Sequence, residues 1–566
     1  MTTAARTRTH AWLPVLALVV LAATAECLCL RNQWVQDDRP IIVMSPVLHS
    51  LARWWQRFTQ AYWPDPYPRE LYRPLTSLLL SVEWVLGGGH VVVFRAMSLV
   101  LAVGSTLAVY RLATRVLPSG GAWLAAAFFA VHPVHVEAVA VAINQAELAV
   151  GLLLALLTAA YIDRRRAGLP LSAGWIATMS AGYLVASLFK ESALVLPGMI
   201  VVAEVVLIAD QRPWRDRIAM LRPLILAFML VAVALIYVRN MVLAGDTKGT
   251  FTAEALTGLT FTGRAITMLG VVPDWVRLLF WPSQLRAEYS PGVIVGTTHW
   301  GMMQSLGALL LVALAAIAWR VRRTRPAITF GICWIAIGIF PVSNVLVPTG
   351  ITLAERTLFL ASIGAVLIAG DVAWLIGHRL YSGGGAPRLI TVAALGAILG
   401  MGLTRSMSRQ LVWHDLPTLW RQTLVDAPLS YRANFAYAQI LFDAGLRRSA
   451  EVYYRRSMDI FPPAWPVPLD LADKYRLAGD CYPAVHLYQR VLVLDPYHTA
   501  ARASLITCLV KIGDYATASR EARIGEDYGR QPRSFAVYGA VADSAARVHA
   551  APGTVRLPPP VDSIVP

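Results

Sequence analysis

The sequence predicts an all-α chain in two parts: a polytopic bundle of about eleven membrane-spanning helices, followed by a solenoid of stacked helix pairs. Composition is the first reason. Of 566 residues, 57% are hydrophobic and only 15% charged, with a mean hydropathy of +0.54. A soluble domain carries about 25% charged residues. The second reason is that the apolar residues gather into runs of about twenty, the length that crosses a hydrocarbon core of about 30 Å as a helix. The third is a recurrence of Gly, Ala and Pro at a fixed spacing near the C-terminus, described below.

In chain order, Ala11 to Leu30 reads as an uncleaved first span, with Arg6 and Arg8 holding the N-terminus in the cytoplasm. A signal peptide is the alternative, with Ala23-Thr24-Ala25 as its small-residue site, but the apolar stretch is long for that. A polar loop follows at about 31–89. It holds Asp37-Asp38, an aromatic-rich stretch (Trp54, Trp55, Phe58, Tyr62, Trp63) and Pro64-Asp65-Pro66-Tyr67-Pro68. Trp and Tyr favour the membrane–water interface, so the loop is expected to carry short interfacial helices, including Leu75 to Leu86.

Further spans are expected at Val91–Ala113, Ala122–His132, Ala146–Ile162, Ser172–Leu188, Ser192–Ala209 and Leu221–Val238. The last four are Met302–Trp319, Ala327–Leu346, Leu358–Ile376 and Leu389–Thr404. The loops carrying Arg111/Arg115, Arg164-Arg165-Arg166 and Arg212/Arg215/Arg217 alternate with Arg-poor loops, which puts them in the cytoplasm and the Asp37 loop outside. Arg264 to Trp281 contains Arg264, Pro273, Asp274 and Arg277. Letting it dip into the outer leaflet without crossing keeps the cluster Arg320/Arg322/Arg323/Arg325 inside. The same positive-inside pattern accounts for the net charge of +16, so nucleic acid is not expected as a partner.

After Arg405 the composition changes, which sets a boundary between a transmembrane domain (1–405) and a repeat domain (406–545), with a disordered tail at 546–566. Gly445, Gly479 and Gly513 stand 34 residues apart, as do Ala450, Ala484 and Ala518, and Pro428, Pro462 and Pro496. Gly at a turn, Ala where two helices touch and Pro after the second helix is the tetratricopeptide pattern. About three repeats are expected over 430–530 behind a capping helix at Leu416–Val425, with a concave face for a protein partner. Cys481 and Cys508 lie here and read as free thiols, and no Cys/His spacing signals zinc.

On this topology several polar groups fall at the outer ends of spans: His132, His135, Glu137, Asn144, Glu147, Lys190-Glu191, Arg264, Glu288 and Glu355-Arg356. Each has a bland reading: a hydrogen-bonded corner for the histidines, a snorkelling turn for Lys190-Glu191, an ion pair for Glu355 with Arg356, and a charged turn for Asp37-Asp38. Together they put carboxylates and cations in one outward cavity beside membrane lipids. A carboxylate activates a hydroxyl acceptor. Cations hold a leaving phosphate. The sequence has no Gly-rich phosphate loop of the nucleotide-binding kind.

The order of motifs Gln36-Asp37-Asp38-Arg39-Pro40, Leu71-Tyr72-Arg73-Pro74-Leu75-Thr76, His132-Pro133-Val134-His135-Val136-Glu137, Lys190-Glu191 and Leu353-Ala354-Glu355-Arg356-Thr357-Leu358, followed by tetratricopeptide repeats, resembles the transmembrane and tetratricopeptide-repeat-containing O-mannosyltransferases. More broadly it is similar to GT-C glycosyltransferases that use polyprenyl-phosphate sugars. The resemblance implies a GT-C-like bundle, repeats on the outer side, and a catalytic role for Asp37 and Asp38. The resulting expectation is transfer of a sugar, mannose being one choice, from a polyprenyl-phosphate donor to a protein or glycan hydroxyl. Asp37 is expected as general base, with Asp38 orienting the acceptor or assisting a divalent metal. Arg73, Lys190 and Arg356 are expected on the phosphate, with Glu191, Glu355, His135 and Glu137 lining the cavity. A polysaccharide polymerase or ligase is a second reading, disfavoured because the long outer loop comes early. A membrane scaffold acting through its repeats is a third. The compact chain and short repeat array favour a bacterial inner membrane with periplasmic repeats; a eukaryotic chain would sit in the endoplasmic reticulum.

Overall fold

The structure is a computed structural model that describes residues 12–64, 67, 69–243, 252–381, 386–528 and 531–559. Among these residues every regular element is a helix. The chain divides into two compact units: 1–290 with 294–426, and 291–293 with 427–566.

The first unit contains α1 (Leu13–Glu26), α2 (Pro74–Gly87), α3 (Val91–Val116), α4 (Ser119–Ala130), α5 (Val136–Ala140), α6 (Gln145–Arg166), α7 (Ala173–Phe189) and α8 (Leu196–Leu207). It continues with α9 (Trp214–Val242), α10 (Phe261–Leu269), α11 (Val272–Phe280), α12 (Met302–Val321), α13 (Pro326–Ile339), α14 (Phe359–Tyr381), α15 (Ala386–Val412) and α16 (Leu416–Asp426). Among the described residues seven helical stretches are long and apolar enough to cross a membrane, or eight if α4 and the segment Pro133–Ala140, bent by 45°, count as one span. The chain is a multi-pass membrane protein. The remaining expected spans are α7, the segment through α8, and α13 with the turn after it; α7 and Pro326–Val342 are apolar but shorter. Lys190-Glu191 does interrupt the long apolar run: α7 stops at Phe189 and a short turn at Glu191–Val195 precedes α8. The questioned stretch 264–281 falls into α10 and α11, nine residues each, and neither reaches across alone.

Small residues set the helix spacing in this bundle. A Cβ on Gly331 of α13 would lie 2.6 Å from the carbonyl of Gly364 on α14, so only glycine permits that approach. The Arg-rich loop ends are also tied down. Arg111 and Arg115 both pair with Asp163, while Arg165 and Arg217 grip Glu204. Arg165 lies at the opposite end of α6 from Glu147, which at about 1.5 Å per residue is about 27 Å away. The two groups of charges therefore occupy opposite ends of one span.

The second unit holds α17 (Tyr431–Asp443), α18 (Arg447–Ile460), α19 (Pro466–Leu477), α20 (Cys481–Leu494), α21 (Thr499–Ile512), α22 (Tyr515–Tyr528) and α23 (Pro532–Arg547). Among the described residues these form three helical hairpins and a closing helix. Gly445, Gly479 and Gly513 sit at the turns with φ of +81°, +88° and +86°, the left-handed region that favours glycine. Ala450, Ala484 and Ala518 are fully buried where the helices touch. Cys481 and Cys508 are buried free thiols.

Two boundaries differ from the sequence reading. Helix α16, read as a cap on the repeats, is grouped with the first unit, whose second stretch runs to Asp426, past the composition shift at 405. The tail expected to be disordered from 546 is ordered as far as it is described. Ala550, Val555 and Leu557 pack on the repeat core, and Tyr515 donates to the Ala551 carbonyl. Three apolar side chains spaced through a proline-rich stretch give enough burial to hold it without regular structure. Residues 560–566 lie outside the described residues.

Candidate functional site

The loop after α1 has a small core of its own. Val35, Ile41, Ile42, Leu48 and Tyr62 pack with Leu80 of α2 and Phe94 of α3. These buried residues flank Asp37-Asp38 on both sides and fix where the pair stands. Gln36 adopts φ +45°. A left-handed conformation costs a non-glycine residue about 1–2 kcal/mol, and such strain tends to persist where a loop must present a particular side chain.

Asp38 is fully buried. Its Oδ2 accepts from Arg95 Nη2 at 2.8 Å and its Oδ1 from the Ile143 amide at 3.2 Å. Arg95, equally buried, also donates to the Gln33 carbonyl. Burial pushes the Asp38 carboxyl above the ordinary range, opposed by Arg95 and by the Ile143 and Ala142 amides. The sequence expectation that Asp38 orients an acceptor or assists a metal is corrected by this geometry. Both oxygens are engaged by protein donors and the side chain is fully buried, which commits it to Arg95 and the loop backbone. Among the described residues no group of three His, Cys, Asp or Glu side chains is arranged to hold a metal.

Asp37 is half-buried and stands within electrostatic reach of Tyr62 and Arg356. Around it the cations expected on a phosphate each come with a carboxylate from a distant part of the chain. Arg73 donates Nε and Nη2 to the two oxygens of Glu191, at 3.0 and 2.5 Å. Lys190 pairs with Glu147 at the start of α6. Arg356 pairs with Glu137 of α5, which also accepts the Arg356 amide. Arg73, Lys190, Glu147 and Arg356 are further linked by mutual electrostatic reach. The structure thus gathers Asp37, Arg73, Lys190, Glu191, Glu137 and Arg356 from five stretches of sequence. It adds Glu147, seen in the sequence only as a polar group at a span end.

Burial draws the Lys190 amine below its ordinary range, against the pull of Glu147. Burial would raise Glu191, but Arg73 overrides it and holds the carboxyl at about 2. The folded value is below the ordinary 4.5, so the pair contributes its full stability above about pH 4.5 and loses it as pH falls through about 2. The melting temperatures of wild type and Glu191→Gln should therefore differ by a constant amount from pH 7 to 5 and converge below pH 4.5. A gap that stays constant down to pH 3 would show that Glu191 titrates normally.

Two expected site residues face elsewhere. His135 is buried between Phe129 and Phe359 and bonds Ser362 Oγ at 2.8 Å, so it braces the break between α4 and α5. Glu355 does not pair with Arg356. It is buried, accepting the Arg286 amide and the Tyr289 hydroxyl, and ties the later outer loop to the start of α14. Neighbours along a tight turn point their side chains apart, which is why the adjacent pairs Glu355/Arg356 and Lys190/Glu191 each split between different partners. Sequence reasoning missed Arg95. The available signal was an arginine one turn inside an otherwise apolar span, which by default has a partner.

No protein-family model matches the chain. A curated protein O-mannosyl-transferase of Caenorhabditis elegans is 22% identical over 459 residues, covering 79% of this chain and 63% of that protein. Human protein O-mannosyl-transferases TMTC1 and TMTC4 are 24% and 25% identical, over 78% and 75% of this chain and 55% and 63% of their own lengths. This chain is similar to the protein O-mannosyl-transferases. The similarity covers 75–79% of this chain, which spans 55–63% of the length of these relatives. Among solved structures, the Archaeoglobus fulgidus oligosaccharyltransferase in its apo form aligns with a TM-score of 0.42 at 14% identity, covering 71% of this chain and 56% of that one. The archaeal oligosaccharyltransferase solved with an inhibitory peptide and a dolichol-phosphate aligns with a TM-score of 0.41 at 12% identity, over 72% and 56%.

Proposed function

We propose that this chain is a membrane glycosyltransferase that moves a single sugar, mannose, from a polyprenyl phosphate to a hydroxyl acceptor such as Ser or Thr of a protein, on the outer side of the membrane. The observation that carries this is the gathering of Asp37 with three cation–carboxylate pairs at one end of the spans, opposite the Arg-rich ends. The names of the relatives supply the sugar and the acceptor class.

Asp37 takes the proton of the acceptor hydroxyl. The acceptor oxygen forms a bond to the anomeric carbon as the bond from that carbon to the phosphate oxygen breaks. The electron pair leaves on the polyprenyl phosphate. Arg73 keeps Glu191 on Nε and Nη2, and its Nη1, without a partner among the described residues, takes a phosphate oxygen. Lys190 and Arg356 place positive charge near the leaving group, while Glu147 and Glu137 keep them oriented and nearly neutral until the donor arrives. Asp38 acts through the backbone: pinned by Arg95, it fixes the residue beside it. The repeats hold a protein partner on the outer side of the membrane, the periplasmic side in a bacterial inner membrane.

The test is transfer in proteoliposomes supplied with polyprenyl-phosphate mannose and, separately, polyprenyl-phosphate glucose and a polyprenyl-diphosphate oligosaccharide. The expected result is transfer from the mannose donor to a serine- or threonine-containing acceptor. Transfer from the oligosaccharide donor alone would replace this reading with that of a ligase.

A further inference from the structure

The Tyr62 side chain is buried to 5% exposure, yet its hydroxyl has no hydrogen-bond partner. Among the described residues no other buried tyrosine hydroxyl is left in that state. Tyr72 donates to the Phe58 carbonyl at 3.0 Å, Tyr161 to Glu204 at 2.7 Å, and Tyr488 to Asp473 at 2.6 Å. Buried hydroxyls are ordinarily satisfied, because one removed from water without a partner loses its hydration for nothing.

Position makes the exception informative. The Tyr62 amide is anchored to the Leu71 carbonyl at 2.7 Å, which fixes the ring beside the Arg73 segment. The Arg73 guanidinium lies over that ring, 5.4 Å from its centroid. Asp37, Asp38 and Glu191 are all within electrostatic reach, but none accepts from the hydroxyl. Their oxygens are directed elsewhere, those of Glu191 to Arg73 and those of Asp38 to Arg95 and Ile143. Burial raises the phenol well above its ordinary range, so it stays protonated and has a proton to donate. A lone buried donor on a ring that lies under the Arg73 guanidinium calls for an acceptor that is anionic and comes from outside the chain.

We infer that the Tyr62 hydroxyl and Arg73 Nη1 together form the oxyanion contact for the phosphate of a lipid-linked ligand. This rests on the donor class proposed above and adds a residue to it. Tyr62 is a binding residue for the phosphate oxygen, not for the sugar or for the acceptor.

The experiment uses the full-length chain in detergent with undecaprenyl phosphate, which carries the phosphate and no sugar. Wild type should be thermally stabilised by it. Tyr62→Phe keeps the ring under Arg73 and removes only the unpartnered oxygen. Its ligand-free melting temperature should equal or exceed that of wild type, while its affinity falls about tenfold or more. Tyr72→Phe, which loses a real hydrogen bond, should show the opposite pattern: a lower melting temperature and unchanged affinity. Unchanged affinity in Tyr62→Phe, or a loss of ligand-free stability, would overturn the assignment while leaving the donor reading intact. Absence of binding by wild type would remove the donor reading and this assignment with it. A tenfold effect seen only with the mannosyl lipid and not with undecaprenyl phosphate would move Tyr62 to the sugar and also overturn it.

Discussion

Arg95→Leu is expected to destabilise the membrane unit by about 3–5 kcal/mol, the usual result of removing one partner from a buried ion pair. Asp38 and Arg95 are both fully buried, and the pair is joined at 2.8 Å. Leucine would leave a carboxylate in the loop core beside Val35, Ile41 and Phe94, with only the Ile143 and Ala142 amides to stabilise it. It would also release the Gln33 carbonyl that Arg95 now holds. The cost comes mainly from the stranded charge. Asp38→Asn combined with Arg95→Leu, which removes both charges, should therefore recover much of the loss, although each change alone is harmful. The measurement is thermal unfolding of the four proteins in one detergent. If Arg95→Leu melts with wild type, the pair does not anchor the loop. If the double variant is no better than Arg95→Leu, the backbone bonds of Arg95 matter more than its charge.

The bundle and the repeats were legible in the sequence because each rests on a local pattern. An apolar run of span length, a glycine at each repeat turn and an alanine at each helix contact carry their reasons within a few residues. The break at Lys190-Glu191 was equally local, since two charges end an apolar run wherever it folds. The pairings were not legible. Arg73 meets Glu191 across 118 residues, and Arg356 meets Glu137 across 219. Only the packed bundle decides which outer-end carboxylate faces which cation. Adjacent residues misled the sequence reading for the same reason. Asp37 and Asp38 look alike in the chain, but neighbouring side chains diverge, so one is committed to Arg95 and the other lies among the three ion pairs. His135 looked like a site residue because it shares a motif with Glu137. Two residues' separation within a short helical turn was enough to place it among Phe129, Phe359 and Ser362.

Asp37→Asn should lower sugar transfer by about 10²–10⁴-fold, the range a positioned general base contributes, without changing melting temperature or affinity for undecaprenyl phosphate. Asparagine has nearly the same shape, and the loop core and the Asp38–Arg95 pair that hold this position are untouched. A loss confined to turnover would therefore report on proton removal. The comparison with Glu137→Gln separates this from a general effect of charge. Glu137 is another carboxylate of the same cluster, and it pairs with the Arg356 side chain and accepts the Arg356 amide. Its neutralisation should free Arg356 and change donor affinity and stability together. If Asp37→Asn transfers sugar within a few-fold of wild type, the base is not Asp37, and the carboxylate serves only to balance the cations around it. If Asp37→Asn instead weakens undecaprenyl phosphate binding while turnover of bound donor is kept, Asp37 belongs to the electrostatic frame with Glu137 and Glu147. The chemistry would then have to come from a group that the acceptor itself brings.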